Sequence, residues 1–200
     1  NNLTAGLYTV TITDAKGCQV QAVIEITQPA PVNGTIVPLS HVSCFGQSTG
    51  SALVIADGGT SPYTYLWSNG QSGYLATGLS AGTHHVTITD KNSCTAIAYV
   101  TITGPAAPLS IVAYGIDAKC YGTATGSATV SSVTGGTPPY SYSWNTSPVQ
   151  TSATATNLPT GIYTVTVSDK NGCTVQSTVL VGQPATPVTL GTPVVTDANC

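Results

Sequence analysis

One sentence of sequence is written three times in this chain. Residues Leu3–Cys18 (LTAGLYTVTITDAKGC) recur as Leu79–Cys94 (LSAGTHHVTITDKNSC) and as Leu158–Cys173 (LPTGIYTVTVSDKNGC), at offsets of 76 and 79 residues. A second landmark keeps the same step: Cys44-Phe-Gly, Cys120-Tyr-Gly and Cys200 follow one another at 76 and 80 residues. Self-similarity at a fixed period defines an array of one module, and a period near 78 fits a small independent domain better than a solenoid turn. The phase divides the chain into 1–30 (the C-terminal part of a repeat), 31–106 and 107–186 (complete repeats), and 187–200 (the start of the next). A chain with that phase is expected to be a window on a longer array.

Within each repeat the apolar residues alternate. Ser51–Ala56, Tyr63–Trp67, His84–Asp90 and Ala96–Ile102 read as strands, and Ser127–Val133, Tyr140–Trp144, Tyr163–Asp169 and Val175–Val181 copy them. Alternation with one apolar face is the pattern of antiparallel strands in a sandwich, and no stretch has a helical period. Turn residues such as Asp57-Gly58-Gly59 separate the runs. The expected fold is all-β: a tandem array of immunoglobulin-like antiparallel sandwiches with roughly seven strands each. The joints at 26–31, 102–108 and 181–187 each carry two prolines, which stop the last strand and favour a short stiff connection.

Composition narrows the function classes. Charged residues make up 6% of the chain and the net charge is −3, so the basic stripe that nucleic acid needs is absent. A hydrophobic content of 41% is ample for packed cores. No apolar run approaches the ~20 residues of a membrane helix. Six cysteines at repeating positions, with no C-x-x-C spacing, read as disulfides formed in an oxidising compartment.

The motifs Cys-[Phe/Tyr]-Gly-x₃-Gly-Ser-Ala, Gly-Gly-Thr-x-Pro-Tyr-x-Tyr-x-Trp and Leu-x-x-Gly-x-Tyr-Thr-Val-Thr-[Val/Ile]-x-Asp-x-x-Gly-Cys-Thr resemble the SprB repeat of giant cell-surface proteins in Bacteroidota. The departures are small: His84 stands where Tyr is expected, and Ser93 where Gly is expected. The resemblance implies a fold similar to PKD and other immunoglobulin-like modules, export by the type IX route, an outer-membrane-associated cell-surface location, and service in adhesion or gliding motility.

Candidate sites are few. Tyr65, Trp67, Tyr142 and Trp144 share one parity with Tyr63 and Tyr140, which points to core aromatics; a sugar-stacking platform would need them exposed. His84 and His85 point to opposite faces and have no counterparts in the other repeats. Asp14, Asp90 and Asp169 each close a strand. They read as Asx-turn aspartates, since seven acidic residues cannot furnish repeated calcium cages of six to eight oxygens. No nucleophile–base pair, phosphate loop or carboxylate pair recurs, so no catalytic, cofactor or metal residue is assigned and the chain reads as non-enzymatic.

Two pairings of the cysteines compete. Joint-spanning bonds would be Cys18–Cys44, Cys94–Cys120 and Cys173–Cys200. If Cys44–Ser48 and Ser51–Ala56 form a tight hairpin, Cys44 lies opposite Ile55 and close to the end of the bead that carries Cys94. Within-repeat bonds Cys44–Cys94 and Cys120–Cys173 are then expected, with Cys18 and Cys200 bonded outside the chain. The functional expectation is a stalk or spacer of a long surface adhesin whose partners are other repeats of the same chain. Extracellular polysaccharide or surfaces would be met through other domains. The alternative is a glycan- or surface-binding module in which the repeats themselves adhere.

Overall fold

The computed structural model describes residues 3–191, so Cys200 and the bond expected of it lie outside the described residues. All regular structure among them is β, in fourteen strands. β1 (Gly6–Thr13) and β2 (Gln19–Ile26) form an antiparallel hairpin. The first complete repeat follows as β3 (Asn33–Ser40), β4 (Gly50–Asp57), β5 (Thr64–Trp67), β6 (Leu75–Leu79), β7 (Gly82–Thr89) and β8 (Thr95–Ile102). The second is β9 (Ser110–Ile116), β10 (Gly126–Thr134), β11 (Ser141–Trp144), β12 (Thr154–Leu158), β13 (Gly161–Ser168) and β14 (Thr174–Val181).

Each complete repeat is two three-stranded sheets, ordered β3-β4-β6 and β5-β7-β8 in one and β9-β10-β12 and β11-β13-β14 in the other. All the pairings are antiparallel. Two immunoglobulin hallmarks confirm the sandwich type. A buried Trp sits on the third strand, β5 or β11. A tyrosine corner opens β13, where the Tyr163 hydroxyl donates to the Pro159 carbonyl four residues back at 3.0 Å. His84 takes that place in the first complete repeat, its Nε2 lying 2.9 Å from the Ser80 carbonyl. His84, which stands where the repeat pattern expects Tyr, is thus a substitute corner. The strand number corrects the expectation of about seven: six are present, because Cys44–Ser48 is not a strand.

The cores repeat position by position. Ala52, Val54, Trp67, Ala76, Leu79, Val86, Ile88, Val100 and Ile102 are buried in the first sandwich. Their counterparts in the second are Ala128, Val130, Trp144, Ala155, Leu158, Val165, Val167, Val179 and Val181. Such alternating apolar positions close a core only when two sheets face one another. Among the described residues no sheet faces the β1–β2 hairpin, and Leu7, Val10, Ile12, Val20, Val23 and Ile24 are exposed. Its register, Gly6↔Ile26, matches Gly82↔Ile102 and Gly161↔Val181, which identifies it as the same hairpin as β7–β8 and β13–β14.

The chain divides into two compact units, and the division is not sequential. One holds the described residues up to Ser40 together with Gly50–Ile102; the other holds His41–Thr49 together with those from Thr103 onward. The loop 41–49, which the repeat phase assigns to 31–106, therefore belongs structurally to the second unit.

Candidate functional site

The most elaborate polar constructions are built around the aspartates that close β7 and β13. In the second unit, Asp169 is 6% exposed and follows the last residue of β13. Its Oδ1 accepts the backbone N–H groups of Asn171 at 2.8 Å and Cys173 at 2.9 Å, and Oδ2 accepts that of Thr137 at 2.9 Å. Asp90 holds Asn92, Cys94 and Thr60 in the same way, at 2.9, 2.8 and 2.9 Å. Each aspartate therefore shapes the turn that carries a cysteine and ties that turn to the Gly-Gly-Thr loop. These are Asx turns extended by one long-range bond.

Burial alone would raise the pKa of Asp90 and Asp169, since it disfavours the charged form. The backbone N–H donors outweigh it: Thr60, Cys94 and Asn92 for Asp90, and Thr137, Cys173, Asn171 and Gly172 for Asp169, hold both carboxyls below the ordinary 3.8. A carboxylate depressed in the folded state stabilises the fold fully above its unfolded pKa and loses that contribution as pH falls through the folded value. The sandwiches should therefore weaken progressively below about pH 4. Urea unfolding at pH 7 and pH 3 checks this: the midpoint should fall in acid, and Asp90→Asn combined with Asp169→Asn should flatten that fall.

The Gly-Gly pair of the same loop is required by geometry. Gly58 and Gly59 have φ of 64° and 56°, and Gly135 and Gly136 have 69° and 60°. A Cβ on Gly58 or Gly135 would overlap the carbonyl of Pro31 or Pro108. The Gly59 N–H donates to the Ala30 carbonyl at 2.7 Å, and Gly136 to Ala107 at 3.2 Å. The glycines thus seat the Pro-bearing joint against the sandwich it enters. The neighbouring aromatic closes the loop, with the Tyr140 hydroxyl donating to the Gly135 carbonyl at 2.7 Å and Tyr63 making the same bond to Gly58.

Trp67 and Trp144 are 2% and 1% exposed, and their indole N–H groups donate to the carbonyls of Gly73 and Ser152, both at 3.0 Å. Tyr65 and Tyr142 are half-buried beside them. The aromatic stripe faces the core, and Leu66 on the opposite parity is exposed. Tyr63, Tyr65 and Tyr74 border a shallow groove, but Ala153 stands where Tyr74 does, so the groove's exposed wall is not repeated. His85 faces outward and lies against Tyr99, with ring centroids 5.9 Å apart.

The cysteines pair differently from the expectation. Cys44 is bonded to Cys173, 129 residues away, with Cα atoms 5.7 Å apart. Cys18, Cys94 and Cys120 are unpaired and exposed. Neither Cys44–Cys94 nor Cys120–Cys173 exists, and the joint-spanning Cys18–Cys44 and Cys94–Cys120 bonds are also absent. The reason lies in the 41–49 loop. β4 pairs with β3, setting Ile55 opposite Thr35, so Cys44 is in the connection between those strands rather than across from Ile55.

The second unit contains both members of one expected pair and makes the obstacle explicit. The Cys120 loop is held at the β14 end of the sandwich, where the Ala118 N–H donates to Gly182 at 2.9 Å. Cys173 lies at the opposite end of β14, beyond the pairing Ser168↔Thr174. An eight-residue strand spans ~26 Å, whereas a disulfide requires Cα atoms within ~6.8 Å. The two cysteines of one repeat are at opposite ends of one sandwich.

The bonded loop is also fitted by hydrogen bonds. The Asn171 side-chain amide donates to the Ser43 carbonyl at 3.0 Å and to Thr137 Oγ1 at 3.1 Å. Thr49 Oγ1 accepts the Ser43 N–H at 3.0 Å, and His41 Nδ1 accepts the Thr103 N–H at 3.1 Å. Asn171 is a functional residue not singled out from the sequence. Its recurrence as Asn92 at the same distance from a cysteine was the available signal.

Among the described residues no three His, Cys, Asp or Glu side chains come together to hold a metal ion, and no helix is long and apolar enough to cross a membrane. A search by sequence among curated proteins found no match. Similar solved structures include three N-terminal domains of the bacteriophage RB49 Highly Immunogenic Outer Capsid protein, at 14% identity and TM-score 0.43, covering 77% of this chain and 59% of that one. The N-terminal eight Ig domains of Down Syndrome Cell Adhesion Molecule give 14% identity and TM-score 0.42, over 88% of this chain and 26% of that one. An amphioxus IgVJ-C2 molecule gives 13% identity and TM-score 0.33, over 78% and 99%. The chain spans less than two thirds of the first two. The SprB repeat family matches residues 33–72 and 117–149, each running from the first strand of a sandwich, or the loop after it, through the buried Trp. The chain therefore carries two SprB repeats, at 33–72 and 117–149.

Proposed function

We propose that these repeats form a structural spacer in a long extracellular surface adhesin, where they hold a binding domain away from the cell and carry tension along the chain. The observation that carries this reading is the reuse of one framework without a shared binding surface. Nine core positions, the aspartate turn and the glycine-seated joint recur, while the surface loops differ. Compare Ser68–Ser72 with Asn145–Val149. A covalent bond that spans successive repeats suits a chain under load.

On this reading the segment is non-catalytic and its immediate partners are other repeats. Polysaccharide or surfaces are engaged by other domains, and the location is the cell surface of a type IX-secreting bacterium, with adhesion or gliding as the purpose. If each repeat were itself the adhesive element, the same exposed aromatic platform should recur, and the change from Tyr74 to Ala153 argues against that. The purified chain is expected to show no saturable binding to glycan arrays, extracellular polysaccharide or glass. Saturable glycan binding that is lost in Tyr74→Ala would replace the spacer reading with the adhesive one.

A further inference from the structure

The unit that carries Cys94 contains a cavity of about 260 Å³ beside that thiol. Its lining includes Pro31, Val32, Gly59, Asp90, Asn92 and Cys94. In the other unit the equivalents of Asn92 and Cys94, Asn171 and Cys173, hold Ser43 by a hydrogen bond and Cys44 by the disulfide, while Gly136 lies against Leu109 and Asp169, the equivalents of Val32 and Asp90. The agreement extends to single bonds. Asn92 donates to Thr60 Oγ1 at 3.0 Å, as Asn171 does to Thr137 Oγ1 at 3.1 Å. An amide has two hydrogens, and on Asn171 the second is given to the Ser43 carbonyl.

We propose that the Cys94 cavity is a docking site for the Cys-aromatic-Gly loop of another SprB repeat, and that the docked loop is locked by a disulfide to Cys94. The first cysteine of one repeat then bonds the second cysteine of the next, as Cys44 bonds Cys173, and the array is stapled at every step. The scheme accounts for all three unpaired thiols among the described residues. Cys18 and Cys94 are second cysteines that take a loop, and Cys120 is a first cysteine that offers one. In the oxidising compartment, closure removes two electrons and two thiol protons, which a small-molecule or protein disulfide accepts as it is reduced to two thiols. The proposal is independent of the spacer reading, since a staple serves an adhesive array equally well.

The test uses the 200-residue chain and a nonapeptide with the sequence of residues 41–49, whose cysteine is activated as a mixed disulfide with thiopyridine. The Cys94 thiolate attacks the peptide sulfur, the bond to thiopyridine breaks, and thiopyridone departs with the electron pair and a proton. Non-reducing peptide mapping then reads the site of attachment. Attachment at Cys94 should be saturable in peptide and at least about tenfold faster than at Cys120 or Cys18, which lie outside an assembled seat. A scrambled peptide, or Asn92→Ala with unchanged circular dichroism, should lose that preference. Equal rates at Cys18, Cys94 and Cys120, or equal rates with the scrambled peptide, would overturn the proposal.

Discussion

Breaking the Cys44–Cys173 bond should cost the second unit much of its stability. The bond closes a 129-residue span, and in the chain-entropy model a loop of that length contributes about 5 kcal/mol; native disulfides of small domains generally fall at about 2–5 kcal/mol. Its loss also frees Ser43 from Asn171 and detaches the 41–49 loop from the aspartate turn. Trp67 and Trp144 lie in different units, so a Trp67→Phe background leaves Trp144 as a fluorescent reporter of the second unit alone. In that background, Cys173→Ser should lower the denaturation midpoint of the Trp144 transition by an amount equivalent to at least about 2 kcal/mol. Asp169 and Thr137 keep their bond in the variant, so the turn persists and the change isolates the staple. An unchanged midpoint would mean that the loop is bonded but not structural.

Truncating Trp144 should be at least as damaging. The side chain is among the largest fully buried ones, and its N–H is satisfied by Ser152. Trp→Ala in a packed core costs about 3–5 kcal/mol, through lost transfer energy and the cavity left behind. Small domains have only about 5–15 kcal/mol in total, so Trp144→Ala should leave the second sandwich marginal or unfolded at room temperature. Tyr142→Ala removes a half-buried ring from the same strand and should cost clearly less. Thermal melts of the two variants decide the matter. A loss below about 1 kcal/mol for Trp144→Ala would show that the core does not depend on it.

The elements that alternation could reveal were those with a clean apolar face. β7 and β13 lie where Val86, Ile88, Val165 and Val167 place them, β8 and β14 lie where Val100, Ile102, Val179 and Val181 do, and alternation likewise puts Trp67 and Trp144 inside. β3 and β6 are harder to read. β3 carries Pro38 and mixes exposed with half-buried positions, and β6 is a five-residue strand with Gly78 inside it. The 41–49 loop was misread because Cys44–Ser48 precedes a Thr-Gly that imitates a hairpin turn. In the structure, Thr49 serves instead to hold Ser43 through its hydroxyl.

The cysteine pairing was beyond the reach of periodicity for a different reason. A repeat pattern gives the position of each cysteine within a sandwich but is silent on which neighbouring sandwich completes a bond. Both schemes drawn from the sequence paired cysteines nearby in the chain, whereas the actual bond skips past Cys94 and Cys120. The chemistry of the seat was partly legible. Asp169 and Asn171 recur as Asp90 and Asn92, yet the turn reading of the aspartate did not extend to the asparagine as a clamp for a foreign loop.

The account rests on a staple that crosses from one repeat to the next, and mechanical unfolding tests it most directly. With the chain held near its two ends, the oxidised protein can extend only through residues outside the 129-residue span closed by the bond. Reductant should release that span and add roughly 450 Å of contour length at ~3.5 Å per residue. A gain of about 360 Å would instead match within-repeat loops Cys44–Cys94 and Cys120–Cys173, and no gain would mean that no bond bears the load; either result contradicts the account.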